Sequence, residues 1–284
     1  MAISAKEVQA LRQKTGAGMM DCKNALTEAE GDFNKAMNIL REKGLARARK
    51  RSEKSADEGL IRSHLSDDTK VGVLLELNCE TDFVARTSDF QNLAGKLSQA
   101  IAELNLLPDG WADLILDGDK ASVTLDSLSL KLGEKIQLRR FERFQADDGF
   151  IEVYIHAGAR LGVMLEYQAE GDAGKAREIA HNLTMQIAAS SPSFLKREEV
   201  PSETLEKELE IYRAQARNEG KPEHLVDRIA QGKTNKFYQD VCLLEQPFIK
   251  EQKTMVSQYL SSQAKASQVK VEPTRFVRFA LGGN

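Results

Sequence analysis

Apolar residues in the first part of the chain recur every three or four positions, as they do on one face of a helix. Gly16 and Gly31 interrupt this spacing, which predicts three short helices joined by turns. Asp32 is placed to cap the third helix, and Gly44 is expected to end it. The predicted apolar faces consist of Val8, Leu11, Met20, Cys22, Ala25, Leu26, Phe33, Ala36, Met37 and Leu40.

Beyond residue 56 the pattern changes to short apolar runs of strand length, and it occurs twice in the same order. The segments 59–61, 71–76 and 140–144 (GLI, VGVLLE and RFERF) correspond to 149–151, 161–166 and 275–279 (GFI, LGVMLE and RFVRF). Self-similarity of this kind indicates a duplicated unit. We expect each copy to consist of a hairpin, a helix and a later strand that closes an antiparallel sheet.

A third pattern interrupts the second copy. Leu205, Leu209, Tyr212 and Ala216 have the spacing of a heptad seam, and a sharp turn follows at 220–222. This predicts an inserted helical hairpin at about 203–236. Its seam serves either to pack the two helices together or to pair with another molecule.

These patterns together predict an α+β protein of three parts. The first is a helical head with a basic linker (1–55). The second and third are two related α/β core subdomains, called here the first repeat (56–145) and the second repeat (146–284), with antiparallel sheets. The segment 122–132 is ambiguous, since its leucines alternate partly like those of a strand.

One loop distinguishes the two copies. The first repeat has Thr81, Asp82 and Phe83 between its strand and its helix, and the second repeat has no counterpart. Thr81 or Asp82 could simply cap the helix while Phe83 packs into the core. Because the scaffold exists without this loop in the second repeat, we favour a functional role, as is common for loops at strand ends.

Met19 and Met20 follow the first glycine turn directly. Adjacent residues point about 100° apart on a helix, so both can hardly be buried. Either one is buried and the other is exposed incidentally, or the two form a flexible apolar contact surface.

Composition excludes several classes of protein. The net charge of −3 and the pI near 5.9 argue against a mainly nucleic-acid-binding protein, although the basic stretch 47–54 could form a local patch. We expect no membrane span and no signal peptide. Three widely spaced cysteines suit reduced thiols in the cytoplasm. The motifs of a P-loop, a nucleophile elbow and a zinc protease do not occur in the sequence.

Two longer motifs resemble a known family. NCETDFVAR (78–86) and TGAGMMDCKNAL (15–26) are similar to motifs of bacterial elongation factor Ts, the guanine-nucleotide exchange factor of elongation factor Tu. The resemblance implies a head like a ubiquitin-associated domain and a helix at 122–132. Because the hairpin dimerises in some members of the family, the resemblance also implies a homodimer through the hairpin at 203–236. It also implies release of GDP from Tu when a loop is inserted near the Mg²⁺ and phosphate site of that partner.

The resemblance implies which residues contact Tu in its GDP-bound and nucleotide-free forms. The loop 81–84 would supply the residues near the Mg²⁺ site, and other positions would contact Tu elsewhere. No catalytic residue, cofactor or metal site is expected in this chain, nor direct contact with nucleic acid or a membrane. The implied contact residues are Thr81, Asp82, Phe83, Val84, Arg12, Met19, Met20, Leu132, Gly133 and His156.

Two other functions are alternatives to nucleotide exchange. One is a general interaction module with a helical head and a duplicated body. The other is an enzyme, for which His156 offers no evident nucleophilic partner.

Overall fold

The computed structural model describes residues 3–52, 55–104 and 111–283. The head contains three helices, α1 (Ala5–Thr15), α2 (Met19–Glu28) and α3 (Phe33–Ser52). Ser4 and Glu7 form a capping box at the start of α1. The helices enclose a small apolar core made of Val8, Leu11, Cys22, Ala25, Leu26, Ala29 and Ala36.

The third helix differs from the prediction at its end. Asp32 caps it as expected, since its Oδ1 accepts a hydrogen bond from the backbone N–H of Lys35 at 3.0 Å. Gly44 does not end the helix, which continues to Ser52. One interior glycine costs only about 1 kcal/mol relative to alanine, and the following Leu, Ala, Arg and Lys residues are good helix formers. The basic side chains predicted to form a linker lie outside the described residues.

The first repeat forms a three-stranded antiparallel sheet in the order β1-β2-β5, with helices packed on one face. Its segment 122–132, ambiguous in sequence, is helical and ends at Gly133 in a left-handed conformation. In chain order the elements are β1 (Glu58–Leu65), β2 (Val71–Cys79), α4 (Asp82–Ala85), α5 (Ser88–Ala102), β3 (Ile115–Leu116), β4 (Asp119–Lys120), α6 (Ala121–Leu132) and β5 (Gln137–Gln145).

The second repeat forms a sheet of equivalent order, β10-β7-β6. Helix α10 was not predicted from the sequence pattern. Strand β10 begins before the motif RFVRF, because a bulge between Pro273 and Arg275 lets the strand continue. The elements are β6 (Phe150–Ile155), β7 (Leu161–Glu170), α7 (Ala173–Ser190), α8 (Ser202–Asn218), α9 (Glu223–Val241), β8 (Pro247–Phe248), β9 (Glu251–Met255), α10 (Val256–Ser267) and β10 (Lys270–Ala280). The mixed α+β class with antiparallel sheets is confirmed.

The two sheets pack face to face at two equivalent glycines. A Cβ atom on Gly72 would lie 2.7 Å from Cγ2 of Ile151, and one on Gly162 would lie 2.6 Å from Cγ2 of Ile61. Any larger residue would push the sheets apart, which explains why both copies of the strand carry glycine here. The shared core between the sheets consists of Ile61, Leu74, Phe144, Ala146, Ile151, Met164 and Phe279.

The duplicated RFxRF motif joins the two sheets reciprocally. The guanidinium of Arg140 stacks 4.4 Å from the ring centroid of Phe279, and that of Arg275 stacks 4.1 Å from the ring of Phe144. The first arginine of each copy thus covers the last phenylalanine of the other, a favourable cation–π arrangement. The body is therefore held as a pair of repeats with approximate two-fold symmetry.

The inserted hairpin is formed by α8 and α9, which pack against each other along their length. Ala216, Val226 and Ala230 are buried between them, while Ile211 is exposed on the outside. Helix α9 continues beyond the expected boundary to Val241, because Phe237 is buried at its base. Pairing of this hairpin with a second copy stays a prediction.

We expect the hairpin to be dispensable for folding of the body. Replacing 203–236 by a short Gly/Ser linker removes mainly contacts between α8 and α9, and it keeps the buried ring of Phe237 in place. Urea unfolding should remain a single cooperative transition with a near-ultraviolet circular dichroism signal. A matched replacement that also removes Phe237 should lose a further 3–5 kcal/mol or so of unfolding free energy. A molten product from the shorter replacement would contradict this prediction.

Candidate partner-binding site

The loop expected to carry function lies where the first repeat departs from the second. Strand β2 ends at Cys79, and α5 begins only at Ser88, with the single turn α4 between them. In the second repeat α7 begins almost directly after β7, with Gly171 and Asp172 between them. The loop 81–84, called here the TDF loop, is therefore an addition to the scaffold.

The TDF loop displays an aromatic ring to solvent. Phe83 is 79% exposed, and the next residue, Val84, is only 8% exposed and packs into the core of the first repeat with Ala85. The alternative in which Phe83 packs into the core is therefore wrong. Val84, expected among the contact residues, anchors the loop from below.

Thr81 rather than Asp82 caps the short helix, because the Thr81 hydroxyl accepts a hydrogen bond from the backbone N–H of Val84 at 3.4 Å. Asp82 lies in the first turn and forms a 2.7 Å ion pair with Arg86 on the surface. Such an exposed pair contributes about 0–1 kcal/mol. The Asp82 carboxylate is therefore free to exchange this partner for another at little cost.

The end of α6 is attached directly to the TDF loop. The carboxylate of Glu134 accepts hydrogen bonds from the backbone N–H and from the hydroxyl of Thr81, at 3.0 and 2.6 Å. In return, the backbone N–H of Lys135 donates to Glu80 at 2.8 Å. Leu132 and Gly133, expected as contact residues, directly precede Glu134. Glu134 was not predicted as a functional residue. The only indication in the sequence is that it is a carboxylate directly after the glycine that ends α6.

A groove of 460 Å³ joins the TDF loop to the second repeat. Asp82 and Arg86 line one side, and Gly158 and Arg160 of the turn between β6 and β7 line the other. His156 at the start of that turn is exposed, and its Nδ1 lies 2.8 Å from the hydroxyl of Tyr154. The structure thus places the TDF loop and the His156 turn at the same end of the body.

The three head residues implied by the resemblance are all exposed. Met19 is 51% exposed and Met20 is 62% exposed, which excludes the alternative in which one of them is buried. Arg12 is exposed on α1. A 180 Å³ cavity between the head and α6 is lined by residues from both, including Gly18 and Leu130. The start of α2 therefore lies near α6, the helix whose end is joined to the TDF loop by Glu134.

The thiols of this chain are unsuited to nucleophilic chemistry. All three cysteines are free and buried. Burial raises the pKa of Cys79 to about 12 and that of Cys242 to about 11, so both stay protonated near neutral pH. Within the described ranges no group of three potential ligands could hold a metal ion. None of the helices in the same ranges has the length and apolar character that crossing a membrane requires.

Comparison with known proteins identifies the family. Residues 80–283 match the family model described as Elongation factor TS. Elongation factor Ts of Clostridium perfringens (strain SM101) is 46% identical over 99% of this chain and 93% of its own length. Proteins of the same name from Clostridium botulinum (strain Alaska E43) and Clostridium kluyveri (strain ATCC 8527) are 44% and 43% identical, with the same coverage. The chain therefore belongs to the elongation factor Ts family.

Proposed function

We propose that this chain binds elongation factor Tu and promotes release of GDP so that GTP can bind. The observation that carries the proposal is the exposure of Phe83 on a loop that is fixed at both ends. In this exposed position the ring contributes no buried area to the core of the chain. An apolar ring held away from its own core is suited to insertion between elements of a partner.

Exchange of this kind requires no covalent chemistry. The factor must bind nucleotide-free Tu more tightly than GDP-bound Tu, and the difference is the coupling free energy between factor and GDP. A GTPase holds GDP through its phosphate loop and a bound Mg²⁺ ion. Insertion of the TDF loop near that site would stabilise the arrangement of Tu that has lost both contacts.

The size of the effect follows from the ring of Phe83. Full burial of a phenylalanine side chain contributes roughly 1.5–3 kcal/mol. At about 1.4 kcal/mol per tenfold change, one ring accounts for about 10- to 150-fold of the exchange rate. Asp82 has a smaller part, because one carboxylate cannot replace the several oxygen ligands of Mg²⁺. It could repel groups that support the ion once it leaves Arg86.

The remaining contacts would come from two further surfaces. The exposed head residues Arg12, Met19 and Met20 form one, and the groove edge with His156 forms the other. The start of α2 lies near α6, whose end contacts the TDF loop, and His156 lies at the turn that borders the groove beside that loop. This arrangement supports contact of both surfaces with Tu. A factor that acts on Tu during translation works in the cytoplasm, and the free cysteines of this chain are compatible with that reducing compartment.

Release of a fluorescent GDP analogue from Tu tests the proposal. In stopped-flow mixing with excess unlabelled GDP, the release rate should rise with the concentration of this chain and then saturate. Release that stays at the spontaneous rate at every concentration would contradict exchange. Binding to Tu without faster release would favour the alternative function, a general interaction module that uses the head.

Replacing Met19 and Met20 together by alanine should weaken binding to Tu by at least about tenfold without unfolding the head. Burying a methionine fully contributes roughly 1.5–3 kcal/mol, and both side chains have most of this area available for a partner. Isothermal titration calorimetry gives the affinity, and circular dichroism gives the helix content.

A matched control is Met37→Ala, because Met37 packs against the core of the head. This change should lower the unfolding temperature of the head, which the surface pair should leave unchanged. If the Met19 and Met20 double variant loses helical circular dichroism as well, both side chains are structural and the proposed surface is wrong.

A further inference from the structure

The TDF loop is too short to hold its own shape. Helix α4 is a single turn, Asp82–Ala85, and an isolated turn of this length is unstable because nucleation is costly. Phe83 stands out from it with most of its surface in water. An unrestrained loop would fold this ring back onto the nearest apolar surface. Val84 anchors one end of the loop in the core, so a contact from outside the loop must hold the other end at Thr81.

We propose that Glu134 is a positioning residue that holds the TDF loop in the conformation that presents Phe83. It acts through Thr81 and does not itself need to touch the partner. This inference rests on the proposed exchange function and assigns a role to a residue outside the predicted set.

The hydrogen bonds made by Glu134 fix both the backbone and the side chain of Thr81. One carboxylate oxygen accepts from the Thr81 N–H at 3.0 Å, and the other accepts from the hydroxyl at 2.6 Å. The same hydroxyl caps α4 through the N–H of Val84. A bidentate carboxylate restricts rotation more than a single hydrogen bond does, and charge strengthens both bonds. Orientation of the cap residue sets the direction of the whole turn.

Glu134 is itself held rigidly. Gly133 has a φ of 78°, a left-handed conformation that turns the chain back towards β2 after α6. The Ser129 hydroxyl donates a hydrogen bond to the backbone carbonyl of Glu134. Leu132 packs against the core of the first repeat on the other side of this turn. Leu132 and Gly133 therefore have a role that requires no contact with Tu, which is to aim Glu134 at Thr81.

In the second repeat only Gly171 and Asp172 separate β7 from α7, so no loop equivalent to the TDF loop stands between them. There Asp172 caps α7 directly, since its Oδ1 accepts from the backbone N–H of Lys175 at 2.8 Å. The pair of hydrogen bonds from Thr81 to Glu134 thus occurs in the repeat that exposes the ring of Phe83. Fixing the loop in the free protein removes an ordering cost that binding would otherwise carry.

Loop motion can be measured without any partner. Trp111 is the only tryptophan, so Trp111→Phe combined with Phe83→Trp gives a single indole, placed in the loop, which is excited selectively at wavelengths that the five tyrosines do not absorb. In this background Glu134→Ala should cause a loss of the residual nanosecond anisotropy of the indole. Glu142→Ala is the matched control, since Glu142 is an exposed glutamate on β5 of the same repeat. Equal anisotropy decays for the two variants would overturn the proposal.

Exchange on Tu supplies the second readout, in the parent background. Glu134→Ala should slow GDP release at saturating factor by about tenfold, and Glu134→Gln, which keeps one acceptor oxygen, should slow it by about threefold. Thr81→Val and Glu134→Ala together should slow release by less than the product of their separate effects, because both changes remove the same hydroxyl bond. Parental release rates with a mobile loop would also overturn the proposal. Failure of the exchange function itself is recognised separately, because the parent chain would then be inactive.

Discussion

Phe83→Ala should slow the release of GDP from Tu at saturating factor by at least about tenfold. The ring is the largest apolar group that the TDF loop exposes. Under the proposed mechanism its burial against Tu contributes only when nucleotide leaves. The saturating rate should therefore fall, while the factor concentration at half-saturation, which reports binding to GDP-bound Tu, should change little. Stopped-flow release of fluorescent GDP over a range of factor concentrations measures both quantities.

Ile115→Ala provides the control for Phe83→Ala. Ile115 is also a largely exposed apolar residue of the first repeat, but it lies on β3 and is not among the residues of the TDF loop or the lining of the groove. Its replacement should leave the release rate unchanged. The unfolding free energy of both variants should stay near that of the parent, because neither side chain is in a core. A Phe83→Ala protein destabilised by several kcal/mol, or one with a parental release rate, would contradict the assigned role.

Arg140→Ala should cost about 3–5 kcal/mol of unfolding free energy. Its Nε donates to the fully buried carboxylate of Glu76 at 2.8 Å, and Nη2 donates to the backbone carbonyl of Ala280 in the other repeat at 3.0 Å. Removing the guanidinium leaves a buried carboxylate without its main partner and uncovers the ring of Phe279. Urea unfolding followed by circular dichroism measures the loss.

The duplication itself supplies the matched control. Arg275 makes the equivalent bond to Glu166 at 2.6 Å, but the Glu166 side chain is 17% exposed and retains contact with water. Arg275→Ala should therefore cost clearly less than Arg140→Ala, about 1–2 kcal/mol. Equal losses for the two variants would show that burial of Glu76 does not decide the energy of this pair.

The duplication was readable from sequence because its signal is local. Apolar runs, glycines and the RFxRF motif fall in the same order in both copies, and the strands of the two three-stranded sheets contain these segments, although β10 begins before its motif. The cross-sheet stack of Arg140 on Phe279 was not predictable, because spacing along a strand carries no information about which residue of the facing sheet it meets. The predicted end of α3 at Gly44 was wrong, because the helix-forming residues around one glycine outweigh its cost.

The candidate site was only partly readable. Sequence identified the TDF loop but left open whether Phe83 faced the core or solvent, since both arrangements fit the local pattern. The structure shows that the ring is exposed. The contact that we infer holds it there is the hydrogen bond between Thr81 and Glu134, two residues that are distant in the chain. Long-range contacts of this kind require the fold, because α6 and β2 are brought together only by packing around the first core.

Affinity for the two forms of Tu gives the most direct test of nucleotide exchange by this chain. Isothermal titration calorimetry should show tighter binding to nucleotide-free Tu than to GDP-bound Tu, and GDP should bind the complex more weakly by the same ratio. Phe83→Ala should reduce that ratio, chiefly by weakening binding to the nucleotide-free form. Equal affinity of the parent chain for both forms would contradict the account, because a factor without differential affinity cannot shift the equilibrium.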